Sequence, residues 1–346
     1  MILMDSSLEG FVEKVREKGW KIVVYGFGVI GRVTVPSFLA TNHLEDRLLF
    51  YVDGDARKQE QYVPVGNRQV KVYGPERLGE AGEGLVLLIS GSRYGGILDF
   101  LNGIECLKSV VGYIFPWMLV EAARTIMQEN RISKSEQPMI PKVIHYCWFG
   151  HGRVPDEMEV CMESWRKFCP DYEILEWNED NFNVERYSYS SQAYRHGKWA
   201  FVSDIARLDI LYKYGGIYLD TDVELIRSLD DLLYQPAFCG VEKWRLLNTG
   251  GGCGAVPQHP ALKKMLDYRK DILFEYSDGS LNLESSGSYE SCPLLEDGFV
   301  PDNTIQIVDG MTIYSSDFFH PFDYMSGETS ITENTHGIHH FRGSWV

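Results

Sequence analysis

The sequence predicts an α/β protein of two successive domains, and three observations carry that expectation. A buried-strand pattern, Lys21-Ile22-Val23-Val24-Tyr25, runs straight into Gly26-Phe27-Gly28-Val29-Ile30-Gly31 and then into an apolar helix. A second opening strand, IPKVIHYCWFG from Ile140 to Gly150, follows a polar stretch that ends at Pro138. Further along, Gly215-Gly216-Ile217-Tyr218-Leu219-Asp220-Thr221-Asp222 reads as a turn, a short apolar strand and two acids one residue apart. Short apolar strands alternating with helical patterns in this order belong to α/β architectures.

The first domain is expected over residues 1–137. After the glycine run the apolar helix extends through Val35 and Leu39, and a second strand, Leu48–Val52, ends in Asp53. The acid stands about 22 residues past the last glycine, the spacing of a dinucleotide-binding βαβ unit. In such a unit Gly26, Gly28 and Gly31 let the backbone approach a pyrophosphate, and the helix N-terminus favours its charge. Asp53 is then the ribose partner. A further apolar run, Leu85–Ser90 before Gly91, reads as another parallel strand. The domain is Rossmann-like, but no residues for hydride transfer stand out, so NAD is not the expected ligand. It also resembles the small Rossmann-like domains fused to enzymes of bacterial surface-sugar synthesis, which implies a structural or regulatory role, or a nucleotide site.

Residues 124–138 (RTIMQENRISKSEQP) suit a helix tail and a linker ending at proline. The second domain is therefore expected over residues 138–346. Between Pro155 and Pro170, Met158, Cys161, Met162, Trp165 and Phe168 recur at helical spacing, and Ile174–Trp177 reads as a strand. A longer helix is expected from Trp199 to about Tyr214, with Asp204 and Arg207 three apart on its surface and so able to touch. It leads through Gly215-Gly216 into Asp220-Thr221-Asp222. Residues i and i+2 of a strand share a face, so an extended Asp-Thr-Asp would aim both carboxylates one way. Two anions that close need a cation between them, and Mg²⁺ or Mn²⁺ is bound in this manner beside phosphates. Leu247–Ala255 (LNTGGGCGA) lacks the P-loop lysine and is read as a tight turn near a sugar pocket, with Asn248 as a contact.

The 346 residues suffice for two domains with separate cores. A formal net charge of −16 argues against nucleic acid, and against a broad docking surface for anionic lipid. Seven cysteines with no C-x-x-C pair fit reduced thiols rather than a disulfide framework or a zinc site. No signal-peptide pattern and no apolar run of about 20 residues is visible. A cytoplasmic protein, at most peripheral to the inner face of the plasma membrane, is expected.

Three separated motifs, IPKVIHYCWFG, SDIARLDILYKYGGIYLDTD and IHHFRGSW, resemble the DXD-containing glycosyltransferases of family 32 over about residues 139–346. That family includes yeast-type initiating mannosyltransferases and bacterial capsule or lipopolysaccharide sugar transferases; the large clostridial glucosylating toxins are similar at greater distance. The resemblance implies a GT-A fold and a UDP- or GDP-sugar donor with Mn²⁺ or Mg²⁺. It also implies transfer with retention to a saccharide or lipid-linked oligosaccharide. Under it, Trp148 would stack on the base and Asp204 would accept hydroxyls of the donor sugar. Arg207 would face sugar or diphosphate oxygens. Asp220 would contact the ribose and the metal, and Asp222 would be a direct ligand. The C-terminal tail would fold back, with His340 or Ser344 completing the coordination and the Trp345 indole N–H on a phosphate oxygen; His339 would face away. Catalysis is accordingly expected from Asp204, Arg207, Asp220, Asp222 and Trp345. Donor binding is expected from these with Trp148, Asn248 and Ser344. An NAD-dependent nucleotide-sugar oxidoreductase and a non-catalytic nucleotide-sugar-binding protein are the competing classes.

Overall fold

A computed structural model gives the structure of the chain and describes residues 1–80, 84–125, 132 and 134–342. The class is α/β, and the chain divides into two compact units: Met1–Ile126 with Val300–Asp302, and Met127–Phe299 with Asn303–Val346. The division falls ahead of the boundary expected at residue 137. The reason is local: Ser135 N–H donates to the Tyr234 carbonyl, and the Met139 and Ile140 N–H groups donate to that of Leu233. Those backbone bonds already commit the end of the supposed linker to the second unit.

The first unit comprises β1 (Ile2–Leu3), α1 (Leu8–Lys18), β2 (Lys21–Tyr25), α2 (Val35–Thr41), β3 (Leu48–Val52), β4 (Tyr62–Val65), β5 (Arg68–Tyr73), β6 (Leu85–Ile89), α3 (Gly95–Asn102), β7 (Val111–Ile114) and α4 (Phe115–Thr125). Its sheet runs β1-β7-β6-β2-β3-β5-β4, parallel throughout except for the β4–β5 hairpin. β2 and β6 lie centrally, which accounts for their nearly unbroken apolar runs. The glycine loop follows β2. Gly31 packs so tightly that an added Cβ would lie 2.2 Å from the Gly26 carbonyl oxygen. Ahead of Pro36 the helix opens into a π-turn over Ile30–Thr34, with Val35 N–H on the Ile30 carbonyl.

The second unit comprises β8 (Val143–Cys147), α5 (Asp156–Phe168), β9 (Glu173–Trp177), α6 (Ser188–Arg195), α7 (Trp199–Tyr214), β10 (Gly216–Tyr218), β11 (Val223–Leu225), β12 (Ala237–Val241), β13 (Leu247–Ala255), α8 (Pro260–Arg269), α9 (Ser286–Leu295), β14 (Gln306–Val308), β15 (Met311–Tyr314), β16 (Phe322–Asp323), β17 (Glu328–Thr329) and β18 (Gly337–His339). The main sheet is mixed, in the order β14-β15-β12-β13-β10-β8-β9. Strand alternation sends Ile144, Ile217 and Leu219 to one buried cluster and Cys147 and Tyr218 to another, shared with α6, α7 and α8. That parity matters, because Asp220 follows Tyr218 by two residues and so tends toward the α7 side.

Two expectations change here. Asp220-Thr221-Asp222 is not extended: β10 stops at Tyr218, and Val223 N–H closes a turn on the Asp220 carbonyl. Leu219 N–H on the His145 carbonyl and Asp220 N–H on that of Gly250 are the last bonds to the main sheet, and β11 then leaves to pair with β18, Val223 opposite His339. The glycine run is not a turn either. It is β13, central in the sheet between β12 and β10. Side chains are absent there because neighbours occupy their space: a Cβ at Gly251 would lie 2.1 Å from His320 Nε2, and one at Gly252 2.6 Å from the Phe319 ring.

Trp165 links α5 to this corner. It is fully buried, and its indole N–H donates to the Val223 carbonyl at 2.7 Å. Trp165→Ala is expected to destabilise the second unit by about 3–5 kcal/mol, read as a lowered midpoint in urea unfolding followed by far-ultraviolet circular dichroism.

Candidate metal and nucleotide-sugar site

Arg207 is the centre of the site. It sits on the buried face of α7, with 3% of its surface exposed. Its Nε donates to Thr249 Oγ1 at 2.6 Å, and its Nη2 lies 2.9 Å from both Asp204 Oδ1 and Glu290 Oε1. Nη1 lies 3.6 Å from Asp220 Oδ2. The guanidinium therefore faces inward, holding three carboxylates from α7, the turn after β10 and α9. Its contacts within the protein fix the acids around it. Burial works against the charge, but Asp204, Glu290 and Asp220 together keep the Arg207 pKa well above its ordinary value.

Glu290 escaped the sequence reading. It is fully buried, with one oxygen accepting from Thr249 N–H and the other from the Thr249 hydroxyl and Arg207. Nothing in the spacing of Ser286–Leu295 marks it, since its role arises from α9 packing beside β13. Asp204 is pushed above the usual carboxylate range by burial, with Arg207 and Arg269 opposing and Glu290 and Asp220 adding to it.

The paired acids meet a histidine. Asp220, Asp222 and His339 each aim a ligand atom into one small volume, all within 4.8 Å of one another. Asp220 is placed by its N–H on the Gly250 carbonyl (2.8 Å) and by the Tyr218 hydroxyl on its Oδ1 (3.0 Å). Gly250 must lack a side chain here, because a Cβ would come within 2.1 Å of Asp220 Oδ2. Asp222 Oδ1 lies 3.3 Å from His339 Nε2, and its Oδ2 accepts the Arg342 N–H at 2.8 Å. Burial would raise the Asp222 pKa, but the charge and hydrogen bond of His339 and the Arg342 N–H hold it down to about 2. Against the opposing effect of burial, Asp222 in turn raises the pKa of His339.

The preference for His340 over His339 is overturned. His340 Nε2 contacts Glu224 Oε2 at 3.0 Å, while His339 faces the acids. Neighbouring strand residues point to opposite sides, so only one of the two could reach the site. The register of β18 on β11 decides which. Ser344 and Trp345, expected to close the site, lie outside the described residues.

The remaining expected contacts are more distant in kind. Trp148 follows β8, half-buried, its N–H on the Trp177 carbonyl and its indole N–H on the Gly152 carbonyl at 2.5 Å. Asn248 Oδ1 accepts from Gly250 and Gly251 N–H, which leaves its amide nitrogen as the group able to meet a ligand. In the first unit Asp53 accepts the N–H groups of Phe27 (2.6 Å) and Asp55 (2.8 Å), with Lys58 Nζ at 3.6 Å. A Cβ at Gly28 would meet nothing within 4 Å, whereas Gly26 lies against Ser90 and Gly31 against Gly26. The last two glycines thus serve packing of the loop on its own sheet.

The donor set of two carboxylates and an imidazole suits a divalent cation that takes oxygen and nitrogen ligands, Mn²⁺ more readily than Mg²⁺. The His339 Nδ1 atom is buried and finds no hydrogen-bond partner among the described residues. Three protein ligands leave further coordination positions for diphosphate oxygens or water.

Residues 155–239 match the family model described as a glycosyltransferase sugar-binding region containing a DXD motif. This stretch holds Asp204, Arg207, Asp220 and Asp222. Over 117 residues the chain is 35% identical to inositol phosphoceramide mannosyltransferase 3 of Schizosaccharomyces pombe, covering 32% of each chain. It is 28% identical over 188 residues to mannosyl phosphorylinositol ceramide synthase SUR1 of Saccharomyces cerevisiae, covering 50% of this chain and 48% of that one. It is also 31% identical over 104 residues to human alpha-1,4-N-acetylglucosaminyltransferase, covering 30% and 26%. The chain thus spans between about a quarter and a half of the length of these relatives. The matched residues 155–239 lie in the second unit, and the chain is similar in part to the fungal mannosyltransferases.

Asp222→Ala and His339→Ala are each expected to weaken Mn²⁺ binding by about tenfold or more, and His340→Ala to leave it nearly unchanged. Isothermal titration calorimetry with MnCl₂ measures all three. The opposite ranking of the two histidines would return the ligand role to His340.

Proposed function

We propose that this protein is a retaining, metal-dependent glycosyltransferase of GT-A type that moves a hexose from a UDP- or GDP-sugar to a saccharide or lipid-linked acceptor. The observation that carries the reading is the convergence of Asp220, Asp222 and His339 beside the Asp204–Arg207–Glu290 cluster. Two of the relatives are named as an inositol phosphoceramide mannosyltransferase and a mannosyl phosphorylinositol ceramide synthase, which supports mannose as the hexose and a lipid headgroup as the acceptor. A role in building surface polysaccharide, on a lipid carrier at the cytoplasmic face of the membrane, is part of the proposal. Among the described residues no helix is long and apolar enough to cross a membrane.

Asp220, Asp222 and His339 would hold a Mn²⁺ ion, which would supply Lewis-acid stabilisation of the negative charge that develops on the leaving diphosphate. The chain's own residues set the sugar. Asp204, held by Arg207, accepts hydrogen bonds from hydroxyls of the donor hexose. Arg207 also keeps Asp220 oriented and, with Thr249, pins Glu290. Both oxygens of Glu290 are occupied by these partners, so it is not free to attack the anomeric carbon. Front-face substitution follows: the C1–O bond to diphosphate breaks, the acceptor oxygen bonds C1 on the same face, and its proton passes to the departing phosphate oxygen.

In the first unit, the carboxylate of Asp53 is already engaged by its own loop, which favours a structural role there over an NAD site and weighs against a nucleotide-sugar oxidoreductase.

The test is a panel of UDP- and GDP-hexoses with Mn²⁺, read as release of nucleoside diphosphate without acceptor. One donor is expected to be hydrolysed slowly, and Asp222→Ala to lower that rate by at least about 10²-fold, the scale of losing a group that stabilises developing charge. A panel in which no donor is hydrolysed or shifts the melting temperature, with or without manganese, would sink the reading. A donor bound but never cleaved would make the protein a nucleotide-sugar sensor.

A further inference from the structure

Behind Asp204, away from the paired acids, lies a second buried cation that no part of this reading uses. Arg269, at the end of α8, has no exposed surface. Its guanidinium carbon stands 4.6 Å from the ring centre of Tyr189 and 4.8 Å from that of Tyr289. Its Nη1 donates to the backbone carbonyl of Asp204 at 3.2 Å. Its Nε and Nη2 find no acceptor among the described residues.

A guanidinium stripped of water and given one hydrogen bond is costly to bury. Two aromatic faces offset part of that cost. The rest must come from negative charge at longer range, and the carboxylate of Asp204 supplies it. Asp204 shares the guanidinium of Arg207 with Asp220 and Glu290, and Arg269 is the second cation acting on it. Arg269 also ties α8 to the backbone of α7 at the residue expected to meet the sugar.

We propose that Arg269 is a positioning residue for donor binding: it holds Asp204 from behind and, with Arg207, forms a pair of internal cations that fixes this acid toward the hexose. This rests on Asp204 being the donor-sugar ligand. A purely architectural Arg269 would act only as a tie between α6, α8 and α9 through Tyr189 and Tyr289. Removing one member of a buried charge cluster destabilises the fold under either role, so the two roles separate in turnover by the folded protein and in coupling to the Asp204 carboxylate, neither of which an architectural tie alone would move.

The experiment uses the full chain and the donor turned over most readily by the wild type with Mn²⁺. Arg269→Met is expected to remain folded yet lose about tenfold or more in kcat/KM for donor hydrolysis, with Arg269→Lys recovering a large part. Asp204→Asn keeps the backbone carbonyl and removes the carboxylate charge, so in that background the methionine is expected to add little further loss, since both changes remove the charge interaction between the two side chains. Wild-type kinetics for Arg269→Met, or losses that simply multiply in the double variant, would overturn the proposal. Should Arg269→Met fail to fold, Arg269→Lys in the two backgrounds gives the same comparison. A urea-unfolding cycle over Arg269→Lys and Asp204→Asn stands apart from activity. Coupling of about fivefold or more in the unfolding equilibrium supports the pairing, and additivity refutes it. A wild-type protein that hydrolyses no donor would defeat the glycosyltransferase reading, and the unfolding cycle would still decide whether Arg269 is coupled to the Asp204 carboxylate.

Discussion

The second unit is organised around an imbalance of charge. One guanidinium, that of Arg207, is buried among Asp204, Asp220 and Glu290, and Asp222 stands close by. Burying a carboxylate without a compensating charge costs several kcal/mol even after relaxation, so the arrangement persists only because each acid is anchored. Thr249 gives Glu290 both its N–H and its hydroxyl, Tyr218 gives Asp220 its phenol, and His339 and the Arg342 N–H hold Asp222. What remains is a pocket whose free valence is negative and aimed at one small volume. That is the physical condition for capturing a divalent cation and, through it, a diphosphate.

The ligands of that volume come from chain segments far apart in sequence. Asp220 and Asp222 flank a turn at the end of β10, whereas His339 arrives on β18, which pairs with β11 antiparallel. The small two-stranded sheet is thus the device that brings the C-terminal segment to the acids. His340 N–H on the Asp222 carbonyl and Arg342 N–H on its carboxylate extend the same attachment beyond the strand. Trp165, through its hydrogen bond to Val223, fixes β11 against α5. The packing of the core and the geometry of the ligands are therefore coupled through one indole.

Much of this was legible in the residues. The helix over Trp199–Tyr214, with Asp204 and Arg207 in contact, follows from apolar spacing alone, and so do the opening strands of both units. What could not be read was anything that depends on strand register or on partners distant in sequence. An acid-x-acid pattern looks the same in a strand and in a turn; here the chain turns at Asp220, with Val223 N–H on its carbonyl, in passing from the main sheet to the pairing of β11 with β18. Two adjacent histidines look equivalent until the opposite strand is known, and the pairing of Val223 with His339 settled the matter. Glu290 and Arg269 carry no local signature, because their meaning lies in what α9 and α8 are packed against. Consecutive glycines suggested a bend, since the sequence cannot show that Asp220, His320 and Phe319 fill the places of the missing side chains.

That glycine strand has a further bearing on how much the second unit can vary. Where β13 passes beneath Asp220 the strand is buried, and Asp220, His320 and Phe319 fill the places that side chains would take. A methyl group added at Gly250, Gly251 or Gly252 would evict a neighbour instead of extending a surface. Tolerance along this strand is therefore confined to positions such as Asn248, the one residue of β13 that is partly open.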